Sequence, residues 1–186
     1  SLSFAVDAGV LIPRPETEVA VEEVLRIAGE RGERRIDLLD AGTGSGAIAV
    51  ALAMELPGAA ITAVDISEAA LETARMNART HGVDRRIAFV CGNLYEPLAG
   101  KFDIVVSNPP YIAEKDWEAL GADVRTYEPR RALVAGPAGT EFHAALIQGA
   151  APVLKRGGWL VMEMGAGQER DIEGMFAASG LFEQSR

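Results

Sequence analysis

Arg35-Ile36-Asp37-Leu38-Leu39-Asp40-Ala41-Gly42-Thr43-Gly44-Ser45-Gly46 begins as a short apolar run and ends in three alternating glycines. Residues 45–56 then carry small and apolar side chains at helical spacing until Pro57-Gly58 stops them, so the stretch reads as strand, tight turn and helix. Downstream, residues 60–66 repeat the strand signal. Ser67 is placed to cap a helix running to about His81-Gly82, and residues 86–91 form a third strand. Residues 102–107 make a fourth strand and residues 159–164 a fifth, preceded by a helix over 140–154 that Pro152 disturbs near its end. Strands separated by helical crossovers predict a parallel sheet covered on both faces, a doubly wound α/β fold.

The 186 residues suit one domain, and a chain that is 48% apolar and 24% charged has the composition of a globular protein. No apolar run is long enough to cross a bilayer, and residues 1–10 lack the basic flank and apolar core of a signal peptide, so a cytoplasmic protein without a membrane partner is expected. Cys91 is the only cysteine, which excludes an intrachain disulfide. With only His81 and His143 beside it, no metal site is expected, and Cys91 reads as a core residue. A net charge of −9 argues against gripping nucleic acid over the whole surface. Three arginine clusters (Arg31, Arg34, Arg35; Arg79, Arg85, Arg86; Arg125, Arg130, Arg131) read as solvated surface.

In a doubly wound sheet the ligand sits beyond the carboxyl ends of the strands, where strand order reverses. The predicted strands close with Asp40 to Gly46, with Asp65-Ile66, with Asn93-Leu94 and with Asn108-Pro109-Pro110-Tyr111. Gly42, Gly44 and Gly46, with Thr43 and Ser45 between them, let a ligand approach the main chain and the exposed N–H groups of the helix start. Asp65, about 20 residues on, is placed to accept hydrogen bonds from ribose hydroxyls, so a nucleoside is the implied ligand. Gly42, Gly44 and Ala47 also satisfy a dinucleotide fingerprint, which keeps a nicotinamide-dependent oxidoreductase open. Asp40 speaks against it, because a carboxylate there repels a pyrophosphate yet suits the ammonium of a methionine moiety.

Asn108-Pro109-Pro110-Tyr111 is the more specific signal. An amide nitrogen is a poor nucleophile, because its lone pair is delocalised into the carbonyl. The Asn108 side-chain oxygen and the Pro109 main-chain carbonyl are two acceptors able to hold its two N–H bonds. The prolines stiffen the loop, and Tyr111 offers an aromatic wall for a planar amide or base.

With these motifs the chain resembles the HemK-type protein-(glutamine-N5) methyltransferases of peptide chain release factors. The resemblance extends through Val10-Leu11-Ile12-Pro13-Arg14-Pro15-Glu16-Thr17-Glu18, Ala63-Val64-Asp65, Ser107 to Ile112, Glu128-Pro129 and Ala132-Leu133. It implies a class I methyltransferase catalytic domain over residues 1–186, with residues 1–30 as opening segment and first helix and residues 31–186 as a Rossmann-like core. It also implies S-adenosylmethionine as donor and S-adenosylhomocysteine as product, with a release factor's Gly-Gly-Gln loop as partner.

By the same resemblance, Asp40, Gly42, Thr43, Gly44, Ser45, Gly46, Asp65, Ile66, Asn93, Leu94 and Asn108 contact the cofactor. Asn108, Pro109 and Tyr111 are catalytic and, with Pro110, receive the glutamine; Arg14, Glu16 and Thr17 lie near the mouth of the site or simply start a helix. Asn93 replaces an aspartate frequent in related enzymes, and Leu94 an occasional aromatic. Against the family pattern, the small N-terminal helical domain is expected to be absent and the last strands truncated near Phe182 to Arg186, leaving an exposed sheet edge. A nucleic-acid adenine or guanine methyltransferase shares the tetrapeptide and stays open, as does a non-catalytic remnant.

Overall fold

The computed structural model describes residues 2–32 and 35–183. Helix α1 (Thr17–Arg31) starts just after Pro15, carries Glu18 in its first turn and Arg31 in its last, and ends on Gly32 in the left-handed region. Charge at both ends thus complements the helix dipole. There follow β1 (Asp37–Ala41), α2 (Ala47–Glu55), β2 (Ala60–Asp65), α3 (Glu68–Thr80), β3 (Ile87–Cys91) and β4 (Phe102–Ser107). Ser67 caps α3 by accepting from the Ala70 N–H, as its position before the helical run predicts. Beyond β4 come β5 (Ile112–Ala113), α4 (Ala122–Tyr127), β6 (Val134–Gly136), α5 (Glu141–Gly149), β7 (Leu154–Met162) and α6 (Glu169–Ser179).

Five strands form one sheet in the order β3-β2-β1-β4-β7, every neighbouring pair parallel, while β5 and β6 pair separately. This is the doubly wound Rossmann-like arrangement, with the order reversing between β1 and β4. Alternate residues of each strand serve opposite faces. Leu38, Ile61, Ala63, Ile104 and Val106 pack with apolar residues of α1, α2 and α3. Leu39, Val64 and Val105 pack on the other side with Leu146 of α5 and with Ala150 and Val153. All six residues of β4 are buried, as a strand flanked and covered on every side requires.

Three expectations are corrected. Cys91 is exposed; it closes β3, an edge strand whose outer positions no neighbouring strand covers. Helix α5 ends at Gly149, well before residue 154, and β7 begins at Leu154 instead of 159. Pro152 cannot continue the helix, and the pairing of β4 with β7 shifts register across Gly157-Gly158, which hides the early part of the strand from a period-two reading. The arginine clusters are also not merely solvated. Arg86 donates to the Ala53 and Leu56 carbonyls at the end of α2, Arg131 donates to Ser67 Oγ, and Arg130 lies over the Trp117 ring. Arg34 and residues 184–186 lie outside the described residues. No described helix is long and apolar enough to cross a membrane.

At the amino ends of the central strands a charge cluster ties four elements together. Asp103, at 1% exposure, accepts from Asp37 N at 2.9 Å, Lys155 Nζ at 2.7 Å and Arg31 Nη2 at 3.0 Å. Burial alone would raise its carboxyl, but these donors hold it below the ordinary 3.8. Because Lys155 and Arg31 still reach solvent, Asp103→Ala is expected to lose about 2–3 kcal/mol at neutral pH, less than the roughly 3–5 of a fully buried pair. A depressed folded pKa gives stability that is present above the unfolded value and lost as pH falls through the folded one. Urea unfolding should therefore show the difference from the parent chain shrinking below pH 3.8.

Candidate functional site

The carboxyl ends of β1 and β2 build one half of a rim. Asp40, at 1% exposure, accepts from Thr43 Oγ1 at 2.6 Å and from the Ala49 N–H at 3.1 Å, both through Oδ2. Its Oδ1 is buried without a donor. Burial pushes this carboxyl up to about 7 against the pull of Thr43 and the Ala49 N–H, and the nearby Asp65 charge adds to the rise. The turn that follows is pinned to β2, with the Gly42 and Thr43 N–H groups both donating to the Val64 carbonyl at 2.8 and 2.9 Å. Gly44 and Gly46 both have positive φ but differ in surroundings. A Cβ on Gly44 meets nothing within 4 Å, whereas one on Gly46 lies 2.9 Å from Ala74 Cβ, where α2 starts against α3.

Asp65 accepts from the Gly44 and Ser67 N–H groups, each at 2.9 Å, one on each oxygen. A carboxylate offers about four acceptor positions, so capacity for two hydroxyl donors remains. Ile66 beside it is 67% exposed. Asn93 is exposed, and its Nδ2 donates to Glu96 Oε1 at 2.9 Å. Leu94 is the one described non-glycine residue with positive φ, 45°, a conformation that disfavours a side chain and that no sequence signal announced.

The other half of the rim is the end of β4. Ser107 Oγ donates to the Ala41 carbonyl at 2.6 Å, locking the ends of β1 and β4 together. Asn108 follows, half-buried, its Nδ2 donating to Thr17 Oγ1 at 3.0 Å and its Oδ1 buried without a donor. Pro109 is buried, Pro110 and Tyr111 half-buried, and no hydrogen bond from a described residue reaches the Pro109 carbonyl. Two oxygens lacking donors are therefore adjacent in the chain, an arrangement suited to a group bearing two N–H bonds.

Other residues support the rim. Asn77 joins the Ser45 carbonyl at 2.8 Å to both backbone groups of Ala5. Gln168 donates to the Tyr111 carbonyl at 2.9 Å. Arg14 pairs with the buried Glu128, which joins two separate motifs of the resemblance. Thr17 Oγ1 donates to Glu163 Oε2 at 2.9 Å. Burial raises the Glu163 carboxyl, while the Thr17 hydrogen bond lowers it, the Glu16 charge raises it, and Tyr111 and Asn108 lower it. Glu163 lies just past β7 and outside the motifs that carry the resemblance, so only the parallel alignment of β7 with β4 reveals it.

Residues 24–125 match the family model described as methyltransferase small domain. The chain is 47% identical over 181 residues to a release factor glutamine methyltransferase of Geobacter sulfurreducens, an alignment covering 97% of this chain and 62% of the relative. A protein of the same name from Chlorobaculum tepidum is 44% identical over 184 residues, covering 95% and 62%. The chain thus spans about three-fifths of the length of these relatives. Among solved structures, a methyltransferase of Pyrococcus furiosus superposes with a TM-score of 0.66 at 20% identity, covering 96% of this chain and 78% of that one. A ribosomal protein L11 methylase of Lactobacillus delbrueckii gives 0.61 at 23%, covering 87% and 65%; both likenesses concern the fold.

The two turn glycines should separate stability from ligand access. Gly46→Ala adds a clash to a left-handed backbone and should cost more than the roughly 1–2 kcal/mol of the conformation alone. Gly44→Ala should cost only about that amount. Chemical unfolding of the two variants side by side checks the order.

Proposed function

Because the chain belongs to the methyltransferase small domain family, we propose that it is a catalytic domain that methylates the side-chain amide nitrogen of a glutamine, in the Gly-Gly-Gln loop of a peptide chain release factor, using S-adenosylmethionine. The observation that carries the acceptor is the pair of donorless oxygens, Asn108 Oδ1 and the Pro109 carbonyl, at the end of β4. The names of the curated relatives point to the same acceptor.

The residues present fit the cofactor. Asp40 Oδ1, buried and unpaired, is an acceptor for the ammonium of its methionine part; Thr43 and Ala49 fix the carboxylate from its other oxygen. Open space at Gly42 and Gly44 leaves main chain accessible, and Thr43, Ser45 and Gly46 complete that turn. Asp65 has acceptor capacity for ribose hydroxyls. Ile66 and Leu94 offer apolar contact to a base, and the Asn93 amide oxygen accepts from an exocyclic amine. A buried carboxylate at Asp40 is a poor neighbour for a pyrophosphate, which weighs against a dinucleotide.

When bound, S-adenosylmethionine supplies an electrophilic methyl whose bonding pair returns to sulfur, leaving S-adenosylhomocysteine. Asn108 and Pro109 each take one N–H of the glutamine amide. They withdraw proton density from the nitrogen and stop it rotating, so its weak lone pair keeps one direction. Tyr111 limits the space on one side of the amide plane, and Pro110 removes a competing backbone donor. As the N–C bond forms, one N–H proton leaves to solvent, so no strong base is needed.

Incubating a release factor with the chain and cofactor, then analysing the Gly-Gly-Gln peptide by mass spectrometry, should show one added methyl, lost by about 100-fold or more in Asn108→Ala. Methyl transfer to DNA or RNA with the release factor untouched would overturn the assignment. Calorimetry should show cofactor affinity rising with pH by about tenfold per unit between roughly pH 5 and 7. The cationic ligand favours ionised Asp40, and below a pKa of about 7 a proton must leave first. Asp40→Asn should bind more weakly with this slope removed.

A further inference from the structure

Thr17 Oγ1 stands between two groups that fix its polarity, Glu163 Oε2 at 2.9 Å and Asn108 Nδ2 at 3.0 Å. The Asn108 NH2 can only donate and takes a hydroxyl lone pair, which leaves the hydroxyl proton to point to Glu163, an arrangement that Glu163 as a carboxylate, an acceptor only, enforces. This matters because an asparagine amide turned by 180° keeps its shape while exchanging oxygen for nitrogen. Packing alone scarcely distinguishes the two orientations. With Nδ2 drawn to Thr17, Oδ1 is the atom left buried without a donor.

Glu163 is itself held in place. Its N–H donates to the Ser107 carbonyl at 3.0 Å, one residue before Asn108, and its carbonyl lies 2.8 Å from Nε2 of the fully buried His143. A carbonyl can only accept, so Nε2 carries the proton. The carboxylate therefore projects from a backbone fixed on both sides, next to the strand end it serves.

We infer that Thr17 and Glu163 are positioning residues, a hydroxyl and a carboxylate that hold the Asn108 amide with its oxygen, and not its NH2, toward the N–H of the methyl acceptor. This rests on the methyl-transfer reading above. In the reversed orientation an NH2 would meet the glutamine NH2, and the acceptor nitrogen would lose one of its two anchors.

The test compares the chain with Thr17→Val, Thr17→Ser and Glu163→Gln. Valine keeps the volume without the hydroxyl, serine keeps the hydroxyl, and glutamine can donate to Thr17 and so reverse the chain of donors. Exchange of the Asn108 Nδ2 protons, followed by NMR, should quicken about fivefold to tenfold in Thr17→Val and little in Thr17→Ser. On a Gly-Gly-Gln peptide, kcat should fall about 10- to 100-fold in Thr17→Val and Glu163→Gln, with cofactor affinity near that of the parent and kcat compared at a temperature where both variants are folded. Thr17→Ser should stay within about threefold. Parental exchange and kcat in Thr17→Val, or equal loss of kcat in the serine and valine variants, would overturn the inference. If the parent chain moves no methyl to the peptide while exchange still depends on the Thr17 hydroxyl, the orienting role is upheld and the glutamine reading alone falls.

Discussion

The parallel pairing of β1 with β4 is the constraint on which the rest of the rim depends. Leu38 faces Ile104, Leu39 faces Val105 and Asp40 faces Val106, and the Ser107 hydroxyl closes the pair on the Ala41 carbonyl. The side-chain period of a strand is two, so a slip of one residue would send each of these residues to the wrong face. In this register two motifs separated by more than sixty positions in sequence end at one level, at the point where strand order reverses. The glycine turn departs from one strand and Asn108-Pro109 from its neighbour.

The buried carboxylates at the two ends of the sheet meet opposite surroundings. At the amino ends, Asp103 meets Asp37 N, Lys155 and Arg31, so its buried charge is matched. At the carboxyl ends, Asp40 Oδ1 and Asn108 Oδ1 are buried without donors. Each buried acceptor left unmet costs about 1–3 kcal/mol, and a fold tolerates that where a ligand restores the bond. Leu94, with its positive φ, adds backbone strain at the same rim. The paired amino ends and the all-buried β4 supply rigidity against which these local costs are held.

Much of this was legible in the sequence because the main elements carry strong periodicity and punctuation. The bounds of β4 match the apolar run at residues 102–107. The helix after Ser67 and the glycine turn also fall where capping and turn chemistry put them. What stayed hidden has physical reasons. β5 and β6 are two and three residues long, too short for a period to emerge. The start of β7 is masked by Gly157-Gly158. Cys91 is apolar by type yet sits at the end of an edge strand. At the site, Asp40, Asp65 and Asn108 could be located because each ends a strand, but their hydrogen-bonding state could not. Thr17 was visible only as part of the opening Ile-Pro-Arg-Pro-Glu-Thr-Glu run and Glu163 not at all, since their roles arise from side chains meeting 146 residues apart.

If Asn108 Oδ1 and the Pro109 carbonyl select the acceptor, the site should distinguish an amide from a carboxylate, which match in shape but differ in having donors. The decisive measurement is NMR titration of the chain, loaded with S-adenosylhomocysteine at neutral pH, with two loop peptides that differ only in carrying glutamine or glutamate after Gly-Gly. Two acceptors facing an amide predict at least about tenfold tighter binding of the glutamine peptide. Equal or tighter binding of the glutamate peptide would contradict that geometry as the basis of acceptor choice.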